Sequence, residues 1–188
     1  MTINLIAELS SYSLNKRNDD SLSSLANKRL LHPFINTVTT QSTPSLFIRS
    51  ARRSDAEVVY GFLCELEEAT LDAGLFMTIF RQNLANPMIY YLVAEWSGLV
   101  VGFVSCHVQY LLHHTGKVGE VQELYVKPEY RNQRIGHQLI TTLDTLAIRE
   151  GFVNLEVTTN RKRTDTIRFY EQEQFSVTHL KLVKSLPT

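Results

Sequence analysis

Residues 120–139 have the sequence EVQELYVKPEYRNQRIGHQL, a pattern that predicts a strand, a short loop and an amphipathic helix. The strand carries Glu120, Gln122 and Glu123, although a strand inside a domain is usually apolar. The first turn of the helix leaves backbone N–H groups without acceptors and adds the positive end of the helix dipole. The loop before the helix is therefore predicted to bind a phosphate group beside polar strand residues.

The flanking sequence predicts that this unit belongs to an α/β (α+β) domain. Alternating apolar residues between turn signals predict strands, and apolar residues at helical spacing predict helices. The predicted strands are at 46–49, 90–95, 99–109, 118–126, 155–158 and 177–184, and the predicted helices follow Ser54, span 75–86, run from 135 to Gly151 and span 164–173. Ser54 and Glu57 are predicted to form a capping box. The order β-α-α-β-β-β-α-β-α-β predicts a mixed sheet covered by helices.

Composition argues against several classes of protein. Lys plus Arg and Asp plus Glu both number 19, so the net charge is zero and broad nucleic-acid binding is not expected. The sequence has no apolar run long enough for a transmembrane helix, and its N-terminus lacks the basic start of a signal peptide. A cytoplasmic protein that binds no membrane is therefore expected. Cys64 and Cys106 lie far apart inside apolar runs and are expected to be reduced thiols.

Residues 1–45 are predicted to be an N-terminal extension of a domain at 46–188. They contain no glycine, and Ser, Thr and Asn recur among them. A loosely ordered extension, or one created by a misassigned start codon, is the simpler interpretation. The alternative is a segment that packs on the domain or on a partner subunit.

Two segments resemble the GCN5-related N-acetyltransferases, the GNAT family. Residues 131–136, RNQRIG, are similar to the family's acetyl-CoA loop, Q/R-x-x-G-x-G/A, although Arg134 replaces the first glycine. Asn160 and residues 169–175 resemble a downstream signature, in which Gln174 replaces another glycine. If the loop position needs a positive φ angle, Arg134 costs roughly 1 kcal/mol; otherwise the loop has a conformation that any residue tolerates.

This resemblance implies a GNAT-like fold, with a mixed, mostly antiparallel central sheet flanked by helices, and acetyl-CoA as the cofactor. It places the cofactor against the end of the predicted strand, the loop, the start of the following helix and one downstream asparagine. The implied cofactor-binding residues are Leu124, Tyr125, Val126, Arg131, Asn132, Gln133, Arg134, Ile135, Gly136, His137 and Asn160.

A narrower resemblance, over residues 46–186, is to the bacterial aminoalkylphosphonate N-acetyltransferases. It rests mainly on residues 119–124, GEVQEL, and on the pair His113 and His114. It implies that the acceptor is the primary amine of a small aminoalkylphosphonate and that a divalent metal ion takes part. Residues 1–45 have no counterpart in that subfamily.

Acetyl transfer from a thioester to an amine needs a proton acceptor, because an alkylamine is mostly protonated at neutral pH. Glu120 is the candidate base, and the matching glutamate of the phosphonate subfamily lies at its active site. The alternative is a structural carboxylate paired with an Arg or Lys. Strand alternation predicts Glu120 on one face with Gln122 and Leu124, and Glu123 on the other. Glu123 is expected to pair with a base such as Arg168.

The departing thiolate needs a proton, and the resemblance assigns that role to Tyr170. A phenol suits this donation, although Tyr170 could instead be a core aromatic residue. A backbone N–H near Tyr125 or Val126 is expected to stabilise the charge on the carbonyl oxygen.

The predicted substrate contacts are polar residues around the same strand and the last loop. They are His113, His114, Gln122, Arg163 and Arg168. One histidine could bind phosphonate oxygens, or His114 and Glu120 could share a metal ion; solvated loop histidines are the alternative. The basic residues suit a doubly charged phosphonate, a CoA phosphate or plain solvation.

The sequence thus predicts an acetyl-CoA-dependent N-acetyltransferase for a small amine, most specifically an aminoalkylphosphonate. Another small amine, an amino acid or a protein terminus is the rival acceptor. A non-catalytic acetyl-CoA-binding module is the rival from a different class of protein. The family also allows a homodimer.

Overall fold

The structure is a computed structural model that describes residues 45–186. The predicted extension over residues 1–45 lies outside the described residues, Ser45 apart. Within the described part of the chain, no helix is long and apolar enough to cross a membrane. Cys64 and Cys106 are both free thiols, as expected, and Cys106 is fully buried.

A five-stranded sheet forms the centre of the fold, and its strands lie in chain order. Its strands are β1 (Leu46–Ser50), β2 (Ile89–Trp96), β3 (Leu99–Leu111), β4 (Gly116–Val126) and β5 (Phe152–Val157). β1 to β4 pair antiparallel, whereas β5 pairs parallel to β4. The predicted mixed, mostly antiparallel sheet is confirmed.

Helices cover both faces of this sheet. The helices are α1 (Ala56–Leu66), α2 (Ala73–Leu84), α3 (Ile135–Arg149) and α4 (Thr164–Gln172). On one face, α1 and α2 bury Val59, Phe62 and Phe80 against sheet residues that include Phe103 and Tyr125. On the other face, α3 buries Ile135, Leu139 and Leu143 against sheet residues that include Val104, Cys106 and Val121.

The start of α1 is capped differently from the prediction. A 3₁₀ turn, Arg53–Asp55, precedes the helix, so Ser54 is not its N-cap. Asp55 instead accepts the Arg52 N–H at 2.6 Å and pairs with Arg49 Nη1 at 2.7 Å. Asp55 is the N-cap residue of α1 by position, but its carboxylate bonds to the preceding segment and not to the helix amides, so it ties the start of α1 to β1.

Two glycines lie at the ends of secondary-structure elements, at the positions that the sequence predicts. Gly98 and Ser97 both have positive φ angles, 86° and 47°, and form the tight turn between β2 and β3. Gly151, with φ of 72°, follows the last turn of α3.

The predicted strand at 177–184 is wrong. Residues 175–186 have no regular secondary structure, and none of β1 to β5 pairs with them. Val177, Leu180, Leu182 and Val183 are exposed. Alternating apolar residues become a strand only when a neighbouring strand supplies hydrogen bonds and a face to pack on, and this segment has neither.

Candidate active site

The loop over residues 131–137 leaves its backbone amides unpaired. Asn132 and Arg134 both have left-handed backbones, with φ angles of 62° and 61°. Within residues 45–186, the N–H groups of residues 132–137 have no acceptor, and the first bonded amide of α3 is that of Gln138, to Arg134 O at 3.0 Å. Consecutive free amides that include left-handed residues form an anion-binding nest, which the α3 dipole reinforces.

Arg134 shows which conformation the loop takes without its first glycine. Its φ and ψ angles, 61° and 17°, lie in the left-handed region, so the more strained possibility holds. Gln174 repeats this at the end of α4, where φ is 68°. Both positions keep side chains where glycine would remove roughly 1 kcal/mol of strain each.

Gly136 allows α4 to pack on the first turn of α3. A Cβ atom on Gly136 would lie 3.1 Å from Cε2 of Phe169, tighter than ordinary contact. A second contact between the same helices joins His137 Nδ1 to Glu173 Oε2 at 2.9 Å. The His137 ring is therefore engaged with α4, which leaves its backbone amide for a cofactor. These contacts also hold Tyr170, the neighbour of Phe169, next to the loop.

Arg131 fixes the other end of the loop to the sheet. Its Nε donates to Val126 O at 3.0 Å, and its guanidinium lies 6.0 Å from the centre of the Tyr125 ring. The Tyr125 side chain itself is buried beneath α1, where it stacks on Phe62 and its hydroxyl donates to Glu65. Only the backbone of Tyr125 is available to a cofactor.

The sheet opens between β4 and β5 beside this loop. The two strands pair only as far as Val121 opposite Val157, while β4 continues to Val126. Beyond Val121, β4 therefore has a backbone edge that β5 does not cover. An opening with free strand amides can admit a narrow, extended ligand from the α3 face toward the α1 face.

Glu120 lies at the inner end of this opening. Thr158, the residue after β5, donates from Oγ1 to Glu120 Oε1 at 3.0 Å. Lys181 of the C-terminal segment places Nζ 3.8 Å from the same oxygen. Because the Lys181 side chain is 57% exposed, this ion pair is a weak one, and the carboxylate stays accessible to a ligand amine.

A β-bulge at Gln122 changes which residues share a face with Glu120. Ser105 pairs with Glu123 and Cys106 with Val121, so Gln122 has no partner and is exposed. The predicted alternation through this strand is therefore wrong: the extra residue brings Glu120 and Glu123 to the same face, that of α1 and α2. Glu123 also does not pair with Arg168, since Ser105 Oγ donates to its carboxylate.

Tyr170 is buried between aromatic rings at the end of α4. Its ring centre lies 5.2 Å from that of Phe169 and 5.3 Å from that of Phe175. Burial raises the pKa of Tyr170 well above its ordinary value, so the phenol keeps its proton at neutral pH. Within the described residues its hydroxyl has no hydrogen-bond partner, which leaves it free to donate to a ligand.

The sequence of the chain matches a known family. The sequence profile of the Acetyltransferase (GNAT) family matches residues 56–175. The chain belongs to the GNAT acetyltransferase family. It is 39% identical over 143 residues to the aminoalkylphosphonate N-acetyltransferase of Salmonella typhimurium, across 76% of this chain and 93% of that protein.

Solved structures support the same fold. A transcriptional regulator from Bacillus halodurans matches with a TM-score of 0.70 at 22% identity, over 76% of this chain and 100% of the other. An aminoglycoside N-acetyltransferase in complex with CoA matches with a TM-score of 0.69 at 16% identity, over 79% and 99% of the two chains. At these identities the likeness concerns the fold alone.

The histidine pair of this acetyltransferase lies beside a carboxylate other than Glu120. His113 and His114 lie in the turn before β4, with ring centres 4.3 Å apart. His114 Nε2 is 3.4 Å from Glu156 Oε1, on the strand next to that of Glu120. No group of three or more His, Cys, Asp and Glu side chains within residues 45–186 is arranged to hold a metal ion. A metal ion shared by His114 and Glu120 alone stays a prediction.

The predicted basic substrate contacts are occupied elsewhere. Arg168 Nη1 pairs with Asp165 at 3.4 Å on the exposed side of α4. Arg163 Nη2 donates to Leu66 O at 3.3 Å, at the end of α1, and is exposed there. Asn160 Oδ1 accepts from Lys162 N at 3.0 Å and so shapes the loop after β5. Of the two arginines, Arg163 is the one that reaches the α1 side of the sheet.

Sequence reasoning missed several polar residues on the α1 face. His107 pairs with Glu120 across β3, and Glu156 pairs with it across β5. Ser105 is fully buried beneath Glu123. The serine and the glutamates interrupt apolar strands, which is a usable signal, but their common face depends on a bulge that the sequence does not mark.

Proposed function

We propose that this acetyltransferase moves the acetyl group of acetyl-CoA to the primary amine of a small molecule, specifically an aminoalkylphosphonate. The observation that carries the proposal is the opening between β4 and β5. Unpaired amides lie at its α3 end, and an accessible carboxylate, Glu120, lies at its other end. A thioester threaded from the amides toward Glu120 would meet an amine on the α1 face.

The 131–137 loop suits the pyrophosphate of acetyl-CoA. Its free amides and the α3 dipole stabilise phosphate oxygens without a dedicated side chain. The free edge of β4 beyond Val121 can hydrogen-bond the extended amide-containing arm of the cofactor. When bound, acetyl-CoA supplies an activated acyl group as a thioester.

Three groups of the chain then divide the chemistry. Glu120 accepts the proton of the acceptor ammonium, so that the free amine can attack the carbonyl carbon. A backbone N–H of β4 past the bulge donates to the oxygen on which negative charge develops. Tyr170 donates its phenolic proton to the sulfur as the carbon–sulfur bond breaks, and the buried ring keeps that proton available until then. The phenolate regains a proton from the second one that the nitrogen loses as it becomes an amide.

The phosphonate part of the proposal rests on the relative in Salmonella typhimurium, with which this chain shares 39% identity. Arg163 is a candidate cation for the phosphonate, because its guanidinium lies at the end of α1, where it donates to Leu66 O at 3.3 Å. Its guanidinium can bind phosphonate oxygens in a bidentate manner.

An acetyl-CoA turnover screen tests the proposal. Purified protein is assayed with aminomethylphosphonate, 1-aminoethylphosphonate, spermidine and an aminoglycoside, each with and without a divalent cation. The aminoalkylphosphonates are expected to be turned over fastest. Turnover of spermidine or the aminoglycoside alone would show a different acceptor class.

Glu120→Gln and Tyr170→Phe test the assigned roles. Each is expected to lower kcat by roughly 10²- to 10⁴-fold. Both should keep the affinity for acetyl-CoA, measured by calorimetry, because the loop offers backbone amides, which neither substitution changes. Unchanged kcat in either variant would remove that residue from the mechanism.

A further inference from the structure

A cleft of about 220 Å³ lies between the sheet and helices α1 and α2. Its lining divides by chemistry. The apolar residues, which we call its apolar end, are Val59, Leu63, Phe76, Ile79, Phe80 and Phe103. Among the polar residues, Asn83 Nδ2 donates to the Tyr91 hydroxyl at 2.6 Å and the Tyr91 and His107 rings lie 6.4 Å apart, and with Glu123 they make the polar end.

The polar end of the cleft leads to the candidate base. His107 lines this cleft and also lines a smaller one that contains Glu120 and Glu156. The bulge at Gln122 is the reason that Glu123 and Glu120 are on the same face. The amine group of an acceptor bound in the cleft would therefore lie near two carboxylates, first Glu123 and then Glu120.

Glu123 is fixed in position and has no cationic partner. Ser105, which is fully buried, donates from Oγ to its carboxylate and accepts the Glu123 N–H at 3.1 Å. Within the described residues no Arg or Lys forms an ion pair with Glu123, and none lines the cleft. A half-buried carboxylate in an apolar setting is stabilised by a cation, and a ligand ammonium would supply it.

We propose that the apolar end of this cleft binds the side chain of the acceptor amine, and that Glu123 binds its ammonium before Glu120 takes the proton. The inference rests on the proposed function and narrows its substrate class. The preferred acceptor is a primary amine with a compact alkyl or aryl substituent on the carbon that carries nitrogen. A phosphonate is disfavoured in both parts of this cleft, because Glu123 repels it at the polar end and apolar side chains cannot solvate it at the other.

A substrate series measures the depth of the cleft. The series has one acid group and a growing substituent: aminomethyl-, 1-aminoethyl-, 1-aminobutyl- and 1-amino-2-phenylethylphosphonate. For the unmodified enzyme, kcat/KM is expected to rise about threefold to fourfold for each methylene buried. A flat or falling series in an active enzyme would overturn the inference and leave the proposed function intact.

Variants at the cleft provide matched controls. Ile79→Ala removes an apolar contact at the exposed rim and should flatten the series, whereas Leu75→Ala, on the same helix but outside the cleft, should not.

Glu123→Gln keeps the shape of the side chain and the hydrogen bond from Ser105. It should raise KM for the amine about 10-fold or more without changing KM for acetyl-CoA. An unchanged KM for the amine would overturn the role of Glu123. Absence of turnover with every amine would overturn the proposed function and this inference together.

Discussion

Arg134 and Gln174 show how single residues in this chain carry backbone strain. Both have left-handed φ angles, 61° and 68°, without the glycine that the resemblance leads one to expect. Strain of this kind persists when the surroundings determine the conformation. Here the α3 nest and the turn after α4, in which Phe175 N–H bonds Tyr170 O at 2.9 Å, supply that constraint.

Replacing Gln174 with glycine is therefore expected to stabilise the protein. The relief of left-handed strain, less the added freedom of the unfolded chain, amounts to about 0.5–1 kcal/mol. Chemical denaturation measures the change in the free energy of unfolding. Gln172→Gly, at the last residue of α4, relieves no left-handed strain and should not stabilise the protein. Destabilisation by Gln174→Gly would mean that its side chain contributes more than its strain removes.

At the scale of elements, an ion-pair cluster joins β1, β2 and the start of α1. Arg49 donates to Asp55 through Nη1 at 2.7 Å and to Glu95 through Nε at 2.8 Å. Burial alone would raise the pKa of Asp55, but the hydrogen bonds from Arg49 and from the Arg52 N–H outweigh it and lower the pKa overall. A lowered native pKa stabilises the fold at pH values above the ordinary Asp pKa of about 3.9.

Asp55→Asn should therefore destabilise the protein at neutral pH by about 2–3 kcal/mol and weaken its loss of stability in acid. In the unmodified protein, the Asp55 contribution disappears as the pH falls through its lowered native pKa. Urea denaturation at several pH values measures both effects. Asp165→Asn, which breaks an exposed pair with Arg168, should change stability by about 0.5 kcal/mol or less. Equal acid sensitivity of Asp55→Asn and the unmodified protein would contradict this account.

The elements also show what the sequence could predict. Strands β1 to β5 and helices α1 to α4 follow from apolar periodicity and glycine turns, because those patterns respond to local chemistry. The bulge at Gln122 and the unpaired segment at 175–186 do not follow from them. Both depend on hydrogen bonding between segments distant in sequence.

For the candidate site, too, the sequence predicts the residue types but not the contacts between distant segments. Residue type and resemblance to a motif point to Glu120 and Tyr170, and their roles stay predictions. Strand alternation places Glu123 on the wrong face, because one inserted residue reverses the alternation of a strand. The sequence pairs His114 with Glu120, although the fold places it against Glu156 on the neighbouring strand.

At the scale of the whole molecule, the C-terminal segment reaches the middle of the sheet. Lys181 Nζ lies 3.8 Å from Glu120 Oε1, in the region that an acceptor amine must approach. The two residues are far apart in sequence, so this contact links the end of the domain to its candidate base. A lysine ammonium and a substrate ammonium have the same charge and compete for one carboxylate.

Lys181→Ala is therefore expected to lower KM for the amine. The pair is largely exposed, so the change should be small, roughly 1.5-fold to 5-fold, and KM for acetyl-CoA should stay the same. Steady-state kinetics at low ionic strength, where exposed charges are least screened, gives the clearest measurement. Lys184→Ala is the matched control, since Lys184 is exposed on the same segment and has no ion pair among residues 45–186. A higher KM for the amine in Lys181→Ala would instead mean that Lys181 assists acceptor binding, for example by attracting its acid group, and the competition argument would fail.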